Sequence, residues 1–130
     1  MKTRYLLALA LTASGSAIVA ETRAFAPAVA LGEHSRVAPG IEIEPLAVIE
    51  DSRCPITVDC ITAGRLVLAA NVHHGTKVTA VRLTLGSPHP IAGGELVLSG
   101  VSPAKPEALI PPQNYRFSFD FKPAGDNPTP

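Results

Sequence analysis

The sequence lacks the motifs that most often carry catalysis in a chain of this size. It contains no nucleophile elbow, no glycine-rich phosphate loop and no His-Glu-x-x-His pair. It also has no run of like charges, and its 11 basic residues balance its 11 acidic ones. Because a surface that binds nucleic acid needs an excess of basic residues, this balance argues against such a partner. We predict no enzymatic activity and no cofactor, although a triad built from distant residues around Ser52 and Asp51 stays open.

Prolines are absent from one long interval, although the chain has 13 of them. None occurs between Ile56 and Ser87, and proline is excluded from central strands because it cannot donate a ladder hydrogen bond. This interval contains two runs rich in Val, Leu and Thr, at 65–72 and 77–85, separated by a short glycine-containing stretch at 73–76. The pattern predicts a β-hairpin in the middle of the sheet.

Beyond the N-terminal segment the sequence shows no helical periodicity, but it shows several strand patterns. The clearest is at 115–122, where a Tyr and three of the four Phe alternate with polar residues. Residues 41–49 alternate until Pro45 shifts the phase, which is typical of a bulged strand. We therefore predict an all-β fold, a small antiparallel β-sandwich or barrel of about six to seven strands with one disulfide. Other segments are predicted as strands at 26–31 and 95–101, and as turns at 32–35 and 86–90.

The longest apolar run lies at the N-terminus and predicts a signal peptide over residues 1–20. Lys2 and Arg4 precede an apolar stretch, and small residues then lead to Ala20 as a cleavage position. A transmembrane anchor is the alternative, but the 16 residues of 5–20 are short for a span of about 20. We therefore predict an exported protein, periplasmic or secreted, with no membrane span once the signal is cleaved.

Cleavage of the signal would leave a chain of ordinary domain size. Removing Lys2 and Arg4 leaves nine basic residues against eleven acidic ones, a net charge of −2. We predict a linker at 21–28, a single β-domain at 29–122 and a disordered tail at 123–130. We expect the domain to be a monomer.

The two cysteines, Cys54 and Cys60, have five residues between them. This spacing is wide for a zinc half-site but suits a disulfide across a tight loop in an oxidising compartment. A redox-active pair is the alternative. We favour a structural disulfide because Pro55 and the β-branched residues after it do not start a helix, where reactive pairs usually lie.

Charged residues crowd around these cysteines, and Asp51, Arg53 and Asp59 are the candidate binding residues. A rigid loop that presents a guanidinium group and carboxylates can bind a partner. The alternative is structural: Asp51 or Asp59 pairs with Arg53 and hydrogen-bonds loop amides. We favour the structural interpretation.

Four histidines in so short a chain also suggest a metal site. His73 and His74 are adjacent at the predicted hairpin tip, whereas His34 and His89 lie in other predicted turns. Neighbouring residues in a strand point to opposite faces, so this pair shares an ion only if a turn relaxes that geometry. The alternative is two solvated turn residues. We assign no metal site, and we keep His73 and His74 as the alternative metal ligands.

The segment at 50–55, followed by Cys60 and Gly64, resembles a group of small exported bacterial proteins. These share a Glu-Asp-Ser-Arg-Cys-Pro segment, then Cys-x-Trp-x-Gly and a hairpin, and the resemblance covers 29–122. It implies an export route and a domain type, and no reaction. Thr62 stands where the group has Trp. The ending of the group, a proline-rich link and a Tyr-Arg strand, is matched by Pro103, Pro106, Tyr115 and Arg116.

Two functions from different classes follow from these observations. The first is a non-enzymatic binding or structural module of the bacterial cell envelope, with an envelope protein or surface as its partner. The alternative is a periplasmic metal-binding domain that uses His73 and His74.

Overall fold

The structure, a computed structural model, is all-β and confirms the predicted fold class. It describes residues 26–125 and, before them, Gly15 and Ala17. The rest of the predicted signal peptide lies outside the described residues, as do 21–25 of the predicted linker and 126–130 of the predicted tail. The described strands form two antiparallel sheets, of four and three strands.

The four-stranded sheet has its strands in chain order, so each strand pairs with the next by an antiparallel ladder. The hairpin predicted between residues 65 and 85 is confirmed, but its predicted place in the middle of the sheet is right only for its first strand, because the second is an edge strand. The strands are β1 (Ser35–Ala38), β2 (Ile41–Asp51), β3 (Leu66–His74) and β4 (Lys77–Thr84).

The three-stranded sheet is likewise in chain order. A connection of 13 residues separates its last two strands, and it contains a short 3-10 helix at Pro112–Asn114. The strands are β5 (Pro88–Ile91), β6 (Gly94–Ser102) and β7 (Arg116–Pro123).

One hydrophobic core lies between the two sheets and draws on both. In β3 the buried residues alternate with half-buried ones, and β7 buries its aromatic side as predicted. Because side chains of a strand point alternately to opposite faces, each sheet gives one face to the core. The largest fully buried side chains are Phe117, Ile43, Leu66, Leu68, Leu83, Leu96, Leu98 and Pro45.

β2 is bulged where the sequence predicted it and once more beyond. The register with β3 shifts between Pro45 and Ala47, and again between Val48 and Glu50. The extra residues, Leu46 and Ile49, are exposed. Each bulge bends the strand, and the second one directs its end towards the cysteine loop.

The hairpin turn is tighter than predicted, because His73 and His74 belong to β3. Only Gly75 and Thr76 connect β3 to β4. Gly75 has φ +61°, a left-handed conformation that glycine adopts without strain. Two residues therefore suffice to reverse the chain, and the histidines take strand positions.

Two short strands were missed and one predicted strand was wrong. At 26–31 only Val29 forms a bridge, to Phe117 of β7. The segment predicted as a turn at 32–35 ends at the start of β1, which pairs with β2. The turn predicted at 86–90 overlaps β5, whose two prolines are tolerated because β5 is an edge strand.

Candidate functional site

Cys54 and Cys60 form the predicted disulfide, with an Sγ–Sγ distance of 2.09 Å. Inside the loop that it closes, the amide of Val58 donates to the carbonyl oxygen of Pro55 at 3.3 Å. In the chain-entropy model, closing a loop of about seven residues stabilises the fold by about 2.4 kcal/mol. The bond thus restrains a short loop that follows directly from the end of β2.

Asp51, the last residue of β2, is paired with Arg53. The Nε of Arg53 donates to Oδ1 at 2.8 Å and its Nη2 donates to Oδ2 at 2.9 Å. The two side chains are only 9% and 15% exposed respectively. The Nη2 of Arg53 also donates to the carbonyl oxygen of Pro103 at 3.3 Å. The predicted guanidinium fork is therefore occupied by contacts within the chain.

Asp51 also accepts hydrogen bonds from two residues of the connection between β6 and β7. The hydroxyl of Tyr115 donates to Oδ2 at 2.8 Å, and the Nζ of Lys105 donates to the backbone carbonyl of Asp51. Tyr115 immediately precedes β7, which belongs to the other sheet. Asp51 therefore links the end of β2 to the start of β7 across one end of the sandwich.

This network shifts the proton affinities of its members. Burial alone would raise the pKa of Asp51, but hydrogen bonds from Arg53 and Tyr115 and the positive charge of Arg53 outweigh it and lower that pKa. The pKa of Arg53 is raised, mainly by its hydrogen bonds to Asp51. Burial, together with the hydrogen bond to the Asp51 carboxylate, raises the pKa of Tyr115 to about 12.

The raised pKa of Tyr115 makes stability fall at alkaline pH. An unfolded tyrosine titrates near pH 10, whereas the folded pKa is about 12, so the folded state keeps a proton that the unfolded chain has lost. The stabilisation is complete below pH 10 and is lost as the pH rises to 12, by a total of about 2 to 3 kcal/mol. Urea unfolding across this range should show the loss in the unaltered protein and not in Tyr115→Phe. Parallel curves for the two proteins would contradict the assignment.

A second set of contacts closes the base of the cysteine loop. The amide of Ser52 donates to the carbonyl oxygen of Arg65 at 2.8 Å, and the amide of Arg65 donates back to the Ser52 hydroxyl at 3.0 Å. The Nε of Arg65 also donates to Oε2 of Glu50 at 2.9 Å. Gly64 lies so close that a Cβ there would be 1.5 Å from the carbonyl oxygen of Ser52. Position 64, four residues after Cys60, therefore requires glycine for steric reasons.

The cysteine loop is also bonded to the connection between β6 and β7. The amide of Ile56 donates to the carbonyl oxygen of Lys105 at 3.0 Å. The hydroxyl of Thr57 donates to Oε1 of Glu107 at 2.8 Å. Large aliphatic side chains project into solvent from these two joined segments. We call them the aliphatic cluster, and they are Ile56 (71% exposed), Val58, Ile61 (fully exposed) and Leu109 (94% exposed).

The three predicted binding residues thus have different surroundings. Asp51 and Arg53 are largely buried and bond each other. Asp59 is exposed on the loop and takes no part in their network. Pairing of Asp51 with Arg53, the structural interpretation, is what the structure shows, and a contact of Asp59 with a partner stays a prediction.

A different polar cluster lies on the outer face of the four-stranded sheet. Nε2 of His73 is 2.9 Å from Oε2 of Glu44, and the rings of His34 and His73 are 4.9 Å apart. Nδ1 of His34 is 3.4 Å from Oε2 of Glu42. His74, the predicted partner of His73, points to the opposite side of β3, because consecutive strand residues alternate.

Sequence reasoning missed some partners of Asp51 and of His73. Tyr115 was recognised as the first residue of an aromatic strand, but its hydroxyl also needs a hydrogen-bond partner when it is buried. Asp51, the acidic residue that ends β2, is that partner. Glu44 carries no local signal, and His34 was noted only as a histidine in another predicted turn. Only the pairing of three strands brings these two residues to His73.

Within residues 26–125, Gly15 and Ala17, no helix has both the length and the hydropathy to cross a bilayer.

No protein-family model, curated protein or solved structure matches the chain.

Proposed function

We propose that the protein is an exported, non-enzymatic binding module of the bacterial cell envelope, and that its aliphatic cluster docks an envelope protein. The observation that carries the proposal is the exposure of Ile56, Ile61 and Leu109 on segments that are held in place. Exposed apolar residues scattered singly are common, whereas large contiguous apolar patches usually mark an interaction site. These side chains lie on two segments that are hydrogen-bonded to each other, which favours such a patch.

Rigidity of the cysteine loop supports binding. The disulfide closes the loop, and backbone and side-chain hydrogen bonds tie it to Lys105 and Glu107. A surface that is ordered before binding loses little conformational entropy when the partner docks. An interface also needs polar groups at its rim, and the exposed carboxylate of Asp59 supplies one. In this proposal Asp51 and Arg53 shape the loop and do not meet the partner.

Export is supported by three features of the chain, two of which lie in the cysteine segment. The N-terminal segment has the pattern of a signal peptide. The bonded cysteines fit an oxidising compartment, where disulfides persist. The resemblance of the cysteine segment to small exported bacterial proteins points the same way. Binding without catalysis is favoured because Asp51, the acid of the suggested triad, accepts hydrogen bonds from Arg53 and Tyr115 and so is engaged in holding the fold.

Photo-crosslinking in the bacterium that makes the protein tests this proposal. A benzophenone amino acid replaces Ile61 in the full chain, and a matched chain carries it at Val78, an exposed residue of β4. We expect a discrete adduct from position 61 that position 78 does not give. The adduct should weaken when Ile56 and Leu109 are both changed to Ser.

The mass of the adduct identifies its origin. A heterologous envelope protein is the expected partner. An adduct of two copies of this chain, equal yields at positions 61 and 78, or no adduct at all would each overturn the proposal.

A further inference from the structure

We propose that His34, Glu44 and His73 bind a divalent transition-metal ion on the outer face of the four-stranded sheet. One ligand atom from each residue lies within 4.8 Å of the other two. The proposed site is distinct from the cysteine loop and independent of the proposed docking function. It also uses a different pair of histidines from the one that adjacency in the sequence suggests.

The strand register brings these residues together. Glu44 lies on β2 opposite Asn71 of β3, and His73 follows two residues later on the same face, opposite Glu42. Ser35 starts β1 opposite Ile43 on the core face, so His34, one residue earlier, has the outward position. Three neighbouring strands or strand ends therefore contribute one ligand each, and two of the three residues lie within ladders that fix their backbones.

The side-chain geometry is close to that of a metal centre. Zinc binds nitrogen and oxygen ligands at about 2.0–2.2 Å, which places neighbouring ligand atoms of a tetrahedron about 3.3 Å apart. Nε2 of His73 and Oε2 of Glu44 are already 2.9 Å apart. The rings of His34 and His73 face each other at 4.9 Å with a 45° tilt. Rotation of the His34 side chain, which is nearly half exposed, suffices to bring its ligand atom closer.

Residues around the three ligands supply an outer shell. Oε2 of Glu42 is 3.4 Å from Nδ1 of His34, and Nη2 of Arg36 donates to Oε1 of Glu42 at 3.0 Å. Asn71 lies directly opposite Glu44 in the ladder between β2 and β3. A carboxylate on the second ring nitrogen of a metal-bound histidine fixes the ring and its tautomer. Glu42, held by Arg36, is in position to do this for His34.

The ligand set selects the class of metal. Two imidazoles and one carboxylate suit zinc, copper(II) and nickel(II), whereas magnesium and calcium prefer oxygen ligands alone. The three ligands are partly exposed to solvent, so one or more coordination positions are open to water or to a group of another molecule. Among these ions copper(II) should bind most tightly, following the general order of first-row metals.

Isothermal titration of the full chain, purified without a histidine tag, tests the proposal with ZnCl2 and CuCl2 as probes. We expect one ion per chain, tighter for copper, and no heat from MgCl2 or CaCl2. His34→Ala and His73→Ala should each abolish the site, with circular dichroism confirming that both chains fold. Glu42→Gln, which alters only the outer shell, should weaken binding by about tenfold or more.

His74→Ala is the matched control, because His74 adjoins His73 in the sequence but lies on the other side of the strand. It should bind both probes as the unaltered protein does. A flat titration, or binding that survives His73→Ala, would overturn the proposal. Loss of binding in His74→Ala with retention in His34→Ala would overturn it in favour of the adjacent histidine pair.

Discussion

Asp51→Asn is expected to lower the free energy of unfolding by about 2 to 3 kcal/mol at neutral pH. Asparagine keeps the size of the side chain and can still accept the hydrogen bond of Tyr115. It cannot accept both hydrogen bonds from Arg53, and it leaves that guanidinium without its counter-charge although the Arg53 side chain is only 15% exposed. Removing one partner of a largely buried ion pair is costly because the other charge stays buried.

The pH dependence of this difference identifies its cause. The folded state lowers the pKa of Asp51, so this carboxylate contributes its full stabilisation above the ordinary pKa of about 4. The contribution is lost as the pH falls through the lowered folded value. Urea unfolding of both chains should therefore show the difference in free energy at pH 7 and a progressively smaller one below pH 4.

Asp59→Asn is the control for this experiment, since Asp59 is an acidic residue of the same loop but is exposed. We expect it to change the free energy of unfolding by less than about 0.5 kcal/mol. Equal effects at positions 51 and 59 would mean that net charge, and not the pair with Arg53, controls stability.

Gly64→Ala is expected to destabilise the protein by more than about 3 kcal/mol, or to prevent folding. The added Cβ would lie 1.5 Å from the carbonyl oxygen of Ser52 and 2.9 Å from the amide nitrogen of Arg53. Both atoms belong to backbone, which cannot rotate away as a flexible side chain would. Relief of the overlap must separate Ser52 from Arg65 and so break the hydrogen bonds that close the cysteine loop.

Gly100→Ala is the matched substitution in the same protein. A Cβ at Gly100 meets its nearest neighbour, the Cβ of Ser118, at 3.5 Å, which is ordinary contact. Since alanine also loses less backbone entropy than glycine on folding, this change should be neutral or stabilising by up to about 1 kcal/mol. Thermal unfolding of the two variants separates the effects, and similar melting temperatures would contradict the steric argument.

Strand patterns in the sequence predicted the main elements of the fold. The alternation at 115–122 correctly identified β7 and its buried face, because four aromatic residues on one side of a strand have no stable place except the core. The hairpin of β3 and β4 was also confirmed. The disulfide was predictable for a different reason, because both cysteines lie within one short loop.

Short elements were not predictable from their own residues. β1 and β5 have four residues each, too few for a periodic pattern. β1 exists because β2 offers a partner, and β5 exists because an edge position tolerates its prolines. Whether such a segment forms a strand depends on its pairing partner in the sheet and not on its own composition.

The polar clusters show the same limit more clearly. Asp51 meets Tyr115, 64 residues away, and His73 meets Glu44, 29 residues away. The sequence suggested His73 and His74 because they are adjacent, yet adjacency within a strand is what separates them. Contacts between distant residues require the sheet order and register, which hydrophobic periodicity does not specify.

The two prolines of β5 also bear on how this protein behaves at high concentration. An edge strand with unpaired amide groups can template the addition of a strand from another molecule, which is how many β-proteins aggregate. β5 has only four residues, and Pro88 and Pro90, which have no amide hydrogen, take every second position. All four residues of β5 lie opposite residues of β6, and a proline in an edge strand has its nitrogen on the solvent side. The β5 edge of this sheet therefore presents few donors to an incoming chain, and crowded molecules find a poor template for fibre growth at that edge.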